Sequence, residues 1–243
     1  MNIPSIPRSV KLAGAGAALL ALLTACPRTY PPYVAPLTLN FSFPDTPASA
    51  DLRLAAIYFE QATPGGPAAV KVLSMGYVGG SGGSGASVNT ATLSLYADSL
   101  NTVKSNPLCI SAFKTGEASG MQSVVVSPDT VKTCNVYFTL FRDRNSNNSP
   151  ESTEELYLTH DIYSYANSAF TYSFTSPDSR STESGTRTNG WSLVRHEVLQ
   201  PTATPDRYVV SMNSVPTADL GIAIRMHVDS DRLTSMGVRG GLK

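Results

Sequence analysis

Hydrophobic residues recur at every second position over much of this chain. Leu37, Leu39, Phe41 and Phe43 alternate with Thr38, Asn40 and Ser42. A period of two places the apolar side chains on one face and predicts a strand with one side buried. The same reasoning predicts strands at Leu52–Phe59, Ala69–Val78, Thr92–Tyr96, Leu108–Phe113 and Ser123–Val126. Val131–Arg142, VKTCNVYFTLFR, is the richest in β-branched and aromatic residues and is the strongest strand in the chain. Phe170–Phe174, Trp191–Val198, Tyr208–Met212 and Leu220–Val228 follow; in the last, Leu220, Ile222, Ile224, Met226 and Val228 share a face. The intervals hold Pro, Gly, Ser, Asn and Asp, the residues of turns.

Ser176–Gly190, SPDSRSTESGTRTNG, is polar throughout and predicts a long mobile loop. Gly79–Gly85, GGSGGSG, has no side chains to pack and predicts a second flexible loop. Long helical periodicity is missing, and the helix expected is a short one around Glu151–Thr159. Many short strands separated by turn signals predict an all-β chain with little helix apart from a signal peptide. An immunoglobulin-like or related β-sandwich is the fold expected. A β-barrel of roughly eight to ten strands is the alternative, which strand counting does not separate.

The first residues break this pattern. Arg8 and Lys11 form a positive start without any acid, and Leu12–Leu23 is an apolar run of Leu, Ala and Gly. The run is short for a bilayer-spanning helix, so residues 1–25 read as a signal peptide. Leu23-Thr24-Ala25-Cys26 closes it and resembles the lipobox of bacterial lipoproteins. The resemblance implies that Cys26 is acylated, becomes the first mature residue, and holds the chain at a membrane. Each buried lipid methylene is worth about 0.8 kcal/mol, so several chains on one cysteine make a firm anchor. Pro27 follows the cysteine, where many lipoproteins retained in the inner membrane carry Asp; this favours the outer membrane in a cell with two. Residues 26–36, with PRTYPPYVAP after the cysteine, suit an extended Pro-rich tether. Residues 37–228 are then the β-rich domain, and 229–243 a flexible C-terminal tail without clear period.

Charge and cysteines narrow the class. Loss of Arg8 and Lys11 with the signal turns 18 basic and 18 acidic residues into 16 and 18. That balance excludes electrostatic nucleic-acid binding, which needs a basic face. Once Cys26 carries lipid, Cys109 and Cys134 remain, and an exported pair is read as a disulfide.

One stretch carries candidate chemistry: FRDRNSNNSPESTEEL, Phe141–Leu156. With Asp143 as position one, Asn145 is three, Asn147 five, Asn148 six, Ser149 seven, Glu151 nine and Glu154 twelve. The spacing is similar to the calcium loops of EF-hand and dockerin type, in which short oxygen-bearing side chains alternate on a tight loop. The resemblance implies a Ca²⁺ site made by Asp143, Asn145, Asn147, Ser149 (through its carbonyl), Glu151 and Glu154. Asn148 stands where those loops use Gly for a left-handed turn, and Asn tolerates that conformation. Neutral Asn at three and five, with Arg142 and Arg144 alongside, implies weak binding on the order of 10⁻⁴–10⁻³ M and a structural role. A strand leads in, so this is not a true EF-hand.

Other motifs match on paper only. Gly79–Gly83 fits G-x-S-x-G but lacks the strand and helix that a nucleophile elbow requires. Ser111-x-x-Lys114 and Lys114-Thr115-Gly116 share one lysine, whereas penicillin-recognising enzymes use two separate elements. His160, His196 and His227 read as surface or loop residues; nothing in their spacing demands that they meet. Tyr157, Tyr163, Tyr165 and Tyr172 are candidates for an exposed sugar- or peptide-binding patch, or for packing at a sheet edge. The chain therefore reads as a lipid-anchored cell-envelope protein of binding or scaffolding type rather than an enzyme, and its loop as either a structural calcium site or a solvated Asn/Ser turn. Its partners would be another envelope protein, an envelope polysaccharide or a surface layer. The alternatives are an envelope hydrolase with a loop-borne site and a carrier of small apolar ligands.

Overall fold

The structure is a computed structural model, and it describes residues 35–228 except 62–66, 79–85, 110, 114–119 and 205. The signal segment, Cys26, most of the tether, the Gly79–Gly85 run, Lys114 and the 229–243 tail lie outside the described residues.

Among the described residues, fourteen strands form one mixed sheet. They are β1 (Leu37–Pro47), β2 (Leu52–Gln61), β3 (Ala68–Val78), β4 (Ser87–Leu95), β5 (Ser111–Ala112), β6 (Gln122–Ser127) and β7 (Lys132–Arg142). The second half supplies β8 (Glu155–Leu158), β9 (Ile162–Ala166), β10 (Phe170–Thr175), β11 (Ser181–Arg187), β12 (Gly190–Leu199), β13 (Tyr208–Ser214) and β14 (Ile224–Arg225). The order is β14-β1-β4-β3-β2-β7-β9-β12-β13-β11-β10-β6, with β5 and β8 also on β7. Most pairs are antiparallel; β1–β14 and β11–β13 are parallel.

The fold is all-β and sandwich-like, and the ladder does not close into a barrel. β7 is long enough to serve both halves. Its Tyr137–Arg142 segment pairs with β2, and its Thr133–Val136 segment pairs with β9. Cys134, Val136, Phe138 and Leu140 alternate into the main core beside Leu39, Phe41, Leu54 and Leu93. Phe41 and Phe138 meet edge to face with centroids 5.1 Å apart. Burying side chains of this size contributes about 1.5–3 kcal/mol each. Phe141 points the other way, onto Ala55 and Ile57. Both faces of this half of β7 are covered, which is why the sequence there is apolar nearly without interruption.

A second core lies under β9–β13 and includes Phe113, Ile162, Phe170, Tyr172, Val194 and Met212. Here the expected mobile loop is a strand. β11 occupies Ser181–Arg187, inside the polar stretch, with Glu183 and Arg187 buried on the inward face. Tyr172 makes this possible. Its hydroxyl donates to Glu183 Oε1 at 2.8 Å, and the Arg187 guanidinium lies 5.4 Å from its ring centre. Arg187 also faces the rings of Phe113 and Phe170, and its Nη1 donates to Ser164 Oγ at 3.1 Å. Gly185 sits between the two charges, in register with Tyr172, and a Cβ there would strike the Tyr172 ring and the Met212 carbonyl.

Two further expectations change. The helix expected at Glu151–Thr159 is a turn followed by β8, whose residues ladder onto β7 instead. A helix, α1, lies instead at Ala97–Lys104 and turns Leu100 and Val103 into the core. Leu220–Val228 is not one strand: a 3₁₀ turn at Thr217–Asp219 leads in, Ile222 is exposed, and only Ile224–Arg225 pair with β1.

Candidate functional site

The Asp143–Glu154 loop follows β7. Asp143 is buried, and its backbone N–H donates to the Asp51 carbonyl at 2.9 Å. Its carboxylate receives the Asn148 N–H at 3.3 Å, and Asn148 has φ +57°, the left-handed turn expected at this position. Asn145 Oδ1 accepts the Asn147 N–H at 3.0 Å, and Asn147 Oδ1 accepts the Ser149 N–H at 2.8 Å. These side chains mimic backbone turns and hold the loop. Both Asn amides donate to Glu151 Oε1, at 3.0 and 2.9 Å. Glu154 is buried; its Oε1 accepts the Arg144 N–H at 2.9 Å, while its Oε2 has no hydrogen-bond partner. A buried carboxylate oxygen without a donor is costly, and a hard cation is one means of satisfying it. Asp143, Asn145, Asn147, Glu151 and Glu154 thus lie on one turn, with the Asn oxygens on backbone N–H groups and the Asn amide nitrogens toward Glu151. Among the described residues, however, no three His, Cys, Asp or Glu side chains already stand at metal-ligand spacing.

A second cluster joins all three histidines of the chain, which the sequence spacing gave no reason to expect. His160 follows β8, His196 lies on β12, and His227 lies just beyond β14. Leu158 and His227 pair as an antiparallel bridge, exchanging N–H···O bonds of 2.9 and 2.8 Å. Met226 N–H donates to Ser42 O at 2.8 Å, so the C-terminal segment runs between β1 and β8. This bridge carries His227 to His160: Nε2 and Nδ1 are 2.8 Å apart, with ring planes 2° from parallel. The His196 ring centre is 5.0 Å from that of His160, and its Nε2 is buried without a partner. Burial, and secondarily His227, press the His196 pKa down to about 4.

Asp161 adjoins the cluster but does not form a dyad with an imidazole. Its carboxylate accepts the His196 backbone N–H at 2.8 Å and pairs with Arg195 Nε at 3.3 Å. Burial raises its pKa against these contacts.

Cys109 and Cys134 meet in the core as a disulfide pairing, with Cα atoms 3.9 Å apart. The tyrosines do not form one exposed patch. Tyr163 and Tyr172 are buried, Tyr163 stacking on Trp191 at 5.4 Å, and Tyr157 stacks on Phe43 at 6.2 Å. The G-x-S-x-G stretch and Lys114 lie outside the described residues. No family model, curated protein or solved structure matches this chain.

Proposed function

We propose that the chain is an exported protein, anchored to the cell envelope by lipid on Cys26, whose β domain acts by binding or scaffolding. The observation that carries this reading is the ordered series of Arg8 and Lys11, the apolar Leu12–Leu23 run and Leu23-Thr24-Ala25-Cys26. The Cys109–Cys134 pairing agrees with an oxidising compartment. Leu199 and Val209, register partners across β12 and β13, are exposed together and offer a partner an apolar contact. The partner would be another envelope protein, a polysaccharide or a surface layer. A calcium ion in the Asp143–Glu154 loop would be structural: it would neutralise the buried carboxylates of Asp143 and Glu154 and fix the β7–β8 connection. Replacing Cys26 by Ala should move the protein from the membrane fraction to a soluble one. Unchanged membrane fractionation would contradict the anchor.

The hydrolase alternative gains one favouring observation, the meeting of three histidines beside Asp161. It is weakened by the engagement of Asp161 with Arg195 and a backbone amide. The ligand-carrier alternative rested on a closed barrel with an apolar cavity; the ladder does not close, and Leu39, Phe41, Leu93 and Phe138 pack into one core.

A further inference from the structure

We propose that His160, His196 and His227 bind one divalent transition-metal ion of the kind imidazole favours, such as zinc, and that the ion clasps the C-terminal segment to β8 and β12. This site is distinct from the calcium-type loop in residues and in ligand chemistry: three nitrogens suit zinc, copper or nickel, whereas carboxylate and amide oxygens suit calcium.

The tautomers support it. His227 Nδ1 lies 2.9 Å from the Val228 carbonyl, which can only accept, so Nδ1 carries the proton. Its Nε2 is therefore the lone-pair nitrogen and accepts the His160 Nδ1–H, so a metal ion would take the place of that proton, with His160 carrying its remaining proton on Nε2. An imidazole whose other nitrogen donates to a backbone carbonyl is the usual arrangement of a metal-ligating histidine. Two nitrogens on one tetrahedral zinc at about 2.0–2.1 Å stand roughly 3.3 Å apart. His160 Nδ1 and His227 Nε2, at 2.8 Å, would have to part by about half an ångström, and both rings would have to turn so that their lone pairs converge. The buried, partnerless Nε2 of His196 supplies the third ligand, from a ring 5.0 Å away. The rings do not yet meet at one point, so a modest rotation of His196 accompanies binding. His160 and His227 are only half-buried, which leaves the ion a route in.

The effect follows from the fold. His227 hangs on a single bridge to Leu158, and His196 belongs to the other half of the sheet. One ion would cross-link the three segments.

The test uses the full chain, purified in detergent without a polyhistidine tag and stripped of metal. Zn²⁺ is titrated against a chromophoric chelator in excess Ca²⁺. One zinc per chain is expected, and Asp143→Ala should leave that uptake unchanged. His160→Gln, His196→Gln and His227→Gln should each weaken it by more than roughly 100-fold, beyond the loss that outer partners cause. No stoichiometric uptake, or unchanged uptake in His196→Gln, overturns the proposal. The Cu²⁺-loaded unaltered chain gives a readout that needs no variant: imidazole nitrogen couplings in its electron paramagnetic resonance spectrum support the site, and their absence overturns it.

Discussion

His160 Nδ1 and His227 Nε2 lie 2.8 Å apart across 67 residues of chain. The Leu158–His227 bridge sets this contact, and the partnerless His196 Nε2 completes the cluster. Stability in EDTA should therefore depend on pH through His196. Its folded pKa, about 4, lies below the ordinary 6.5. The unfolded chain thus takes the proton first as pH falls. Stability is fully present above about 6.5 and is lost between 6.5 and 4, by roughly 3 kcal/mol in all. Asp161 acts with the opposite sign: burial raises its pKa, so folding takes up a proton there and opposes the loss from His196. Urea unfolding of His196→Gln across this range should show a clearly shallower slope; an equal slope would reject the assignment.

The Arg187–Tyr172–Glu183 group should be coupled. Tyr172→Phe takes a donor from a buried carboxylate and should cost about 1–3 kcal/mol. Arg187→Ala leaves a buried charge uncompensated and should cost about 3–5 kcal/mol. A double-mutant cycle of Tyr172→Phe with Glu183→Gln should show an interaction of at least about 0.5 kcal/mol. Additive losses would mean that the hydrogen bond contributes nothing specific.

This group also shows where the sequence stops being legible. β1 and β7 announce themselves because alternation and apolar content agree with burial at Leu39, Phe41, Val136 and Phe138. β11 reads as a loop because its inward residues are Glu183, Gly185 and Arg187, made acceptable by Tyr172 on a neighbouring strand and, for Arg187, by Ser164 and the rings around it. β9, Ile162–Ala166, was concealed by Ser164 and by tyrosines that suit either face. The Glu151–Thr159 stretch has helix-forming carboxylates, yet Glu151 and Glu154 bond back to the loop and release Glu155–Leu158 to β7. The spacing from Asp143 to Glu154 was readable because it is local. The histidine cluster was not, because its members are joined by strand order rather than by spacing.

Cys109 and Cys134 should resist alkylation until reduced, and peptide masses should show them linked. Replacing both by Ser should lower stability by about 3 kcal/mol, the value for a loop of this size. Two freely alkylated thiols in the unreduced protein would refute the pairing.

Calcium should raise the thermal midpoint. With a dissociation constant on the order of 10⁻⁴–10⁻³ M, about 10 mM Ca²⁺ stabilises the folded chain by about 1–3 kcal/mol, a shift of a few degrees. Asp143→Ala and Glu154→Gln should abolish the shift. An identical midpoint in EDTA and in calcium would leave the loop a polar turn held by its own amides.

The lipid anchor is decided by the mass of the mature N-terminal peptide. The mature chain should begin at Cys26 and carry the added mass of acyl chains on that residue. A mature chain that begins elsewhere, or an unmodified Cys26, would contradict it.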